Sequence, residues 1–223
     1  MRNTERGRRR VIAAAAAWPL LPVFEALAAG RVEKGVHRVH GDVRVNGEPA
    51  RTGMDLRAGD LIVTGRLAEL LFVTGRDAVL IREGSRVELD GQAGQLLVTG
   101  LRVVTGAVLS VFEPEVPKRI RTPTATVGIR GTGVYVESEP GRTYVCTCYG
   151  TADLEAAADP QRYRETVTAT RHDEPRYIYA SGESMMARAP VVNHSDGELR
   201  LLEQLVGRTQ AQEPRTGYGA GVG

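Results

Sequence analysis

Apolar residues in this chain come in short bursts, most of them closed by a glycine. Leu61-Ile62-Val63 runs into Thr64-Gly65, and Leu70-Leu71-Phe72-Val73 into Thr74-Gly75. Ala78–Ile81, Val87-Glu88-Leu89, Leu96-Leu97-Val98, Val103-Val104 and Val108–Phe112 follow. Each burst has about the length of an average strand and is rich in β-branched or large apolar side chains. The tripeptide Val-Thr-Gly closes four of them, at 63–65, 73–75, 98–100 and 104–106. Its uneven spacing rules out a strict solenoid repeat. The pattern predicts an all-β fold of short strands, about five residues each, stacked in a β-solenoid-like roll or a sandwich. Upstream, Val36 to Val45 alternates in part, and Asn46-Gly47 predicts a hairpin because both residues tolerate positive φ.

The pattern changes after Ala156. Residues 157–165 are polar and read as a loop insertion. Thr166–Thr170 and Arg176–Tyr179 read as strands, with a turn at His172-Asp173-Glu174-Pro175 between them. Ser195-Asp196-Gly197-Glu198 is a capping box, since Ser195 can accept from first-turn amides while Glu198 reaches back. It opens one short helix, in which Leu199, Leu202 and Val206 share a face with Leu201 and Leu205 beside it, and Gly207 is the stop. Residues 157–209 therefore form a C-terminal extension of two strands and a short helix. The glycine-, proline- and polar-rich stretch 210–223 is expected to be disordered.

The first 29 residues read as a signal peptide. A basic leader, Met1–Arg10, precedes an alanine-rich apolar stretch from Val11 to Leu21 that is short for a membrane span, and Ala26-Leu27-Ala28 offers a cleavage site. Arg8-Arg9-Arg10-Val11-Ile12 resembles the twin-arginine export motif, with Gly7 and Val11 where that motif has Ser or Thr and Phe. Twin-arginine and Sec export both stand. The leader also accounts for the formal charge of +2, because it holds five Arg against two acidic residues. The remaining residues carry 24 basic and 25 acidic side chains. That balance gives no field for nucleic acid or for an anionic membrane surface. The expected location is the periplasm, with no stable membrane span after signal cleavage.

One segment is more specific: Thr122-Pro123-Thr124-Ala125, followed by Arg130-Gly131-Thr132-Gly133-Val134-Tyr135-Val136. With Gly59-Asp60-Leu61-Ile62-Val63-Thr64, Gly106-Ala107-Val108-Leu109 and Gly150-Thr151-Ala152-Asp153-Leu154, it resembles the FecR-domain family over residues 36–156. The resemblance lies in the order of the motifs, each weak alone. It implies a periplasmic β domain used as a non-enzymatic binding or signalling module, with an envelope protein or cell-envelope polymer as partner. The regulators of that family also carry a cytoplasmic anti-sigma segment, which has no counterpart here. Independently of family, Gly131 reads as a position of tight turning or close backbone approach.

No nucleophile elbow, P-loop, HExxH or dinucleotide fingerprint occurs, and the glycine-rich 217–221 lies in the tail rather than between a strand and a helix. The unusual chemistry is sulfur and imidazole. Cys146 and Cys148 sit in a strand-like run, Thr143–Tyr149, where positions i and i+2 share a face. Their Cα atoms would be roughly 6–7 Å apart with parallel Cβ vectors, which is unfavourable for a disulfide but suits half of a tetrahedral site. His172 and His194 could complete a site for one transition metal (zinc, copper or iron), and Met185 and Met186 could add a thioether for Cu(I). A Cys-x-Cys disulfide or redox pair, and plain structural thiols, stand beside that reading. His37 and His40, spaced i and i+3, would point to opposite sides of a strand and read as surface residues.

Overall fold

The computed structural model describes residues 34–208 other than Leu97, Glu115 and Asp173, and the side chain of Thr132 is likewise outside it. The signal segment at 1–29 and the tail at 210–223 lie outside the described residues.

The described chain is all-β with one short helix, as the pattern predicts. Its strands are β1 (Gly35–His40), β2 (Val43–Val45), β3 (Glu48–Pro49), β4 (Leu61–Thr64), β5 (Glu69–Thr74), β6 (Asp77–Ile81) and β7 (Arg86–Gly91). They continue with β8 (Val98–Val111), β9 (Lys118–Arg121), β10 (Ala125–Glu139), β11 (Arg142–Ala156), β12 (Arg164–Ala169), β13 (Arg176–Tyr179) and β14 (Met186–Arg188), and α1 is Asp196–Leu205. The expected hairpin is present: Asn46 (φ 52°) and Gly47 (φ 89°) join β2 to β3, with Val45 opposite Glu48.

Strand length is where the pattern misleads. β8, β10 and β11 are 14, 15 and 15 residues long, and each runs through both halves of one continuous 14-stranded sheet that folds over on itself to form two facing sheets. In one sheet β1, β5 and β6 lead to the second half of β8, then to the second half of β10, the first half of β11, β13 and β14. In the other, β3, β2, β4 and β7 lead to the first half of β8, then β9, the first half of β10, the second half of β11 and β12. All pairings are antiparallel except β8 with β9. The two sheets enclose one apolar interior that includes Ile62, Leu70, Phe72, Ile81, Leu101 and Ile120. Burying each such side chain contributes about 1.5–3 kcal/mol.

A strand serving two sheets around one core must switch the parity of its inward residues. In β8, Leu101 and Val103 point inward, and then Val108; in β10, Val127 and Ile129, and then Val134 and Val136; in β11, Val145, and then Ala152 and Leu154. Each switch falls at a register irregularity, at Arg86/Val87 opposite β8, at Arg130/Gly133 in β10, and where Gly133 pairs Tyr149 but Val134 pairs Thr147. Such bulges flip the facing pattern and bend the strand. The Val-Thr-Gly tripeptides at 98–100 and 104–106 therefore lie inside β8 and close no strand, unlike those at 63–65 and 73–75. At the β10 corner Gly131 has φ +58°, and a Cβ there would sit 2.5 Å from Pro114 Cα. Arg130 pairs with Asp153 on the neighbouring β11.

The extension adds to the same sheets. β12 and β13 pair with β11, and β14, which the pattern missed, pairs with β13. α1 begins at the predicted capping box: Ser195 accepts from the Glu198 amide, and Glu198 accepts from the Ser195 amide at 3.0 Å. Leu199, Leu202, Leu205 and Val206 are buried against the outer face of the first sheet, where Leu71, Val73, Leu80, Leu109 and Val111 form a second apolar cluster. No helix among the described residues is long and apolar enough to cross a membrane.

The corner geometry makes Gly131→Val a severe substitution, since it adds both left-handed backbone strain and a clash with backbone atoms. We expect a loss of about 3 kcal/mol and a fall in Tm of the order of 10 °C. Thermal unfolding followed by far-ultraviolet circular dichroism checks this, and an unchanged Tm would contradict the tight corner.

Candidate metal centre

Cys146 and Cys148 project from the middle of β11 on its outer face, in the cluster that also holds Tyr135, Tyr144 and α1. The bulge lies between them, because Cys148 is the extra residue between the Thr147–Val134 and Tyr149–Gly133 pairs. It re-aims the strand while leaving both thiols on the same side. Both are fully buried, and both are free.

His172 reaches them from the turn after β12. Its amide donates to the Cys148 carbonyl at 2.9 Å, tying the turn back to β11. Its φ of 50° is an uncommon conformation for a residue with a Cβ, maintained by what surrounds it. His194 arrives from the segment between β14 and α1, directly before the cap residue Ser195. Its ring stacks on Tyr135 (centroids 4.5 Å apart, planes at 22°). The Tyr144 hydroxyl fixes the same segment, donating to the Pro190 carbonyl at 2.9 Å.

The four side chains thus converge as the sequence suggested. One ligand atom from each of Cys146, Cys148, His172 and His194 lies within 4.8 Å of every other. A tetrahedron with metal–sulfur bonds of about 2.3 Å and metal–nitrogen bonds of about 2.0 Å would place them roughly 3.3–3.8 Å apart. His172 Nδ1 is 3.4 Å from Cys146 Sγ and 2.9 Å from His194 Nε2.

The outer ring nitrogens decide what the inner ones can do. His172 Nε2 lies 2.9 Å from the Asp196 carboxylate, and His194 Nδ1 lies 2.6 Å from the Val192 carbonyl. Both partners can only accept, so both outer nitrogens donate and the inner nitrogens of neutral rings carry lone pairs. Two lone pairs facing each other at 2.9 Å repel unless a proton or a metal ion lies between them. Asp196, in the first turn of α1, is also paired with Arg171. Carboxylate and carbonyl partners of this kind orient metal-ligating histidines.

Without metal, the same contacts favour an ion pair. Hydrogen bonding from Cys148 lowers the Cys146 pKa to about 4; burial opposes this, and His172 and His194 add to it. Burial, together with the neighbouring Cys146, pushes Cys148 up. Burial works against a charged His172, yet the Cys146 thiolate and Asp196 outweigh it and hold its pKa above the ordinary value. Asp196 is half-sheltered, which would raise its pKa, but His172 and Arg171 bring it below the usual carboxylate range.

Other candidates fall elsewhere. Met185 and Met186 pack against the interior, on the opposite side of the sheet from the thiols, and so supply no thioether. His37 and His40 are exposed on β1, away from the cluster. Sequence reasoning missed Asp196, which sits inside the capping box and reads there only as a favourable first-turn charge. It also missed the Tyr135 stack, whose pairing with His194 across 59 positions leaves no local signal.

No family model matches the chain, and no curated protein matches it. Among solved structures, two crystal structures of a "putative anti-sigma factor" from Parabacteroides distasonis are similar to it at 13% identity and a TM-score of 0.46. The match covers 58% of this chain and 58% of theirs.

The pKa directions define a pH window for the metal-free protein. Cys146, depressed in the folded state, stabilises the fold fully above its ordinary pKa, and that contribution is lost as pH falls through about 4. His172, raised, contributes below the ordinary imidazole pKa of about 6.5 and is lost as pH rises through its higher folded value. We therefore expect the ultraviolet absorbance of one thiolate at neutral pH in chelator-treated protein, fading near pH 4 and absent in Cys146→Ser. A midpoint near the free-cysteine value of about 8.5 would contradict the ion pair.

Proposed function

We propose that the chain is an exported, non-enzymatic FecR-like binding and signalling module that carries one transition-metal ion, zinc before copper or iron, on Cys146, Cys148, His172 and His194. The observation that carries the metal reading is the pair of inward imidazole nitrogens at 2.9 Å, each with its outer nitrogen committed to an acceptor. Two thiolates and a divalent ion sum to zero charge, which suits two fully buried cysteines. Four protein ligands would close a tetrahedron and leave no position for substrate, the arrangement of structural and sensing sites rather than catalytic ones. With the methionine thioethers on the other side of the sheet, the set is two thiolates and two imidazoles, which suits Zn(II) and lacks the extra soft ligand that would favour Cu(I).

The basic, alanine-rich leader supports export. The order of the motifs at 59–64, 106–109, 122–132 and 150–154 supports a FecR-like module, with an envelope protein or cell-envelope polymer as partner. One contact favours a second reading, a thiol redox protein: Cys146 lies 3.4 Å from His172 Nδ1, and its pKa is lowered to about 4 by hydrogen bonding from Cys148 and the two histidines.

The test is elemental analysis of protein purified without added metal, paired with a thiol count. We expect one transition metal per chain, thiols that react only after chelation, and no metal in the Cys146→Ser/Cys148→Ser double variant. Asp196→Asn, which removes the carboxylate orienting His172, should weaken zinc binding by about 10–100-fold while leaving the fold intact. Metal-free protein with a reversibly oxidised cysteine pair would instead establish the redox reading.

A further inference from the structure

We infer that the metal acts as a latch, so that its occupancy controls whether α1 covers the outer face of the first sheet. This rests on the metal reading above and concerns what occupancy does to the fold.

The ligand set divides into a fixed half and a movable half. Cys146 and Cys148 lie in β11, where Cys146 pairs with Tyr135 of β10, Cys148 is the bulge residue, and β13 and β12 hold the other edge before and after the thiols, so the thiols move only with the strand. His172 and His194 stand on non-strand segments, and His194 immediately precedes the cap of α1. Asp196, which orients His172, is itself the first residue of that helix. A metal at the site therefore ties the start of α1 to the centre of the sheet from two directions.

The other tethers of that start are Arg171 on Asp196, Arg82 on the Asn193 carbonyl, Asn193 on Glu137, and the Tyr144 hydroxyl on Pro190 and Val192, and in each the partner is a residue other than the cysteines. A ten-residue helix is too short to be stable alone in water, where about 12–15 residues are already marginal. It depends on the apolar face of Leu199, Leu202, Leu205 and Val206, and on a partly exposed ion pair between Glu198 and Arg82 (2.6 Å). Its far end is held separately, by Glu203 bonded to Tyr149 and Arg208 and by Arg208 bonded to the Arg76 carbonyl. When the metal leaves, the four donors lose their shared partner and the contact of His172 with Cys146 still joins the two halves; with the cysteine side held in the sheet, relaxation is movement of the histidine side. That movement uncaps the helix and uncovers Leu80, Leu109 and Val111.

The experiment is amide hydrogen exchange on the full chain loaded with one equivalent of Zn(II), before and after chelation. We expect protection of Leu199–Val206 to fall by at least about tenfold while that of Val134–Ser138 and Tyr144–Cys148 is kept. Because coupling is reciprocal, Leu202→Ala, which weakens docking without touching a ligand, should also weaken Zn(II) binding, by up to the factor by which it loosens α1 in the loaded state. Zinc that leaves with α1 protection unchanged, or Leu202→Ala with unaltered zinc affinity, would overturn the latch and leave the metal site standing. Failure of the wild-type chain to bind zinc would overturn both.

Discussion

The half-sheet built from β5, β6 and the second halves of β8 and β10 is apolar on both faces, and a face of that kind cannot be left against water. One side is covered by the interior through Leu70, Phe72, Val79, Ile81 and Val108. The other carries Leu71, Val73, Leu80, Leu109 and Val111, and within the described chain α1 covers it. The near-continuous burial along β5 and β6 is the usual mark of strands with both faces covered. The position of the C-terminal extension, the placement of the capping box and the location of the sulfur–imidazole cluster at the margin of that cover all follow from this need.

The second constraint is parity. An alternating strand has one inward face, yet β8, β10 and β11 each enclose the same interior from two sheets. An irregularity between the two halves of each strand reconciles the two requirements. It also explains why the alternation reads as short broken runs: the period restarts after each bulge, and a reader who treats every restart as a new strand divides β8 into three. Fold class survives that error because composition and glycine punctuation depend on local chemistry. Strand length and topology do not, since the partner that makes Val104 a bulge is β7, and the left-handed Gly106 two residues on reads in sequence as a turn rather than as a bend within one strand. Local signals with self-contained physics were legible in full, among them Asn46-Gly47 as a left-handed turn and Ser195–Glu198 as a helix start.

The site was legible in its donors and illegible in its orienting groups. Two cysteines at i and i+2 with two histidines downstream form a recognisable set because sulfur and imidazole are scarce and chemically distinctive. Asp196 and Tyr135 belong to residue types with many ordinary uses, and only three-dimensional proximity gives them a role. Met185 and Met186 show the converse. They are adjacent in sequence to a plausible site, soft enough for copper, and yet the sheet lies between them and the thiols.

What remains is why a buried cluster with this much electrostatic tension should exist at all. If its purpose were packing alone, apolar residues of similar volume at 146, 148, 172 and 194 would serve the same cover without buried thiols or facing imidazoles, and replacing buried polar groups with well-packed apolar ones is often neutral or stabilising. The cluster instead couples a central strand to a short helix, and Asp196, itself paired with Arg171, and the Val192 carbonyl each hold an outer ring nitrogen so that an imidazole lone pair turns inward. A proton satisfies that arrangement weakly, by making one imidazole cationic beside one thiolate. A divalent ion satisfies all four donors at once and removes the net charge. On the proposed metal reading, the fold would be least strained with an ion bound and most able to change without it, which is what a sensing element requires of its site.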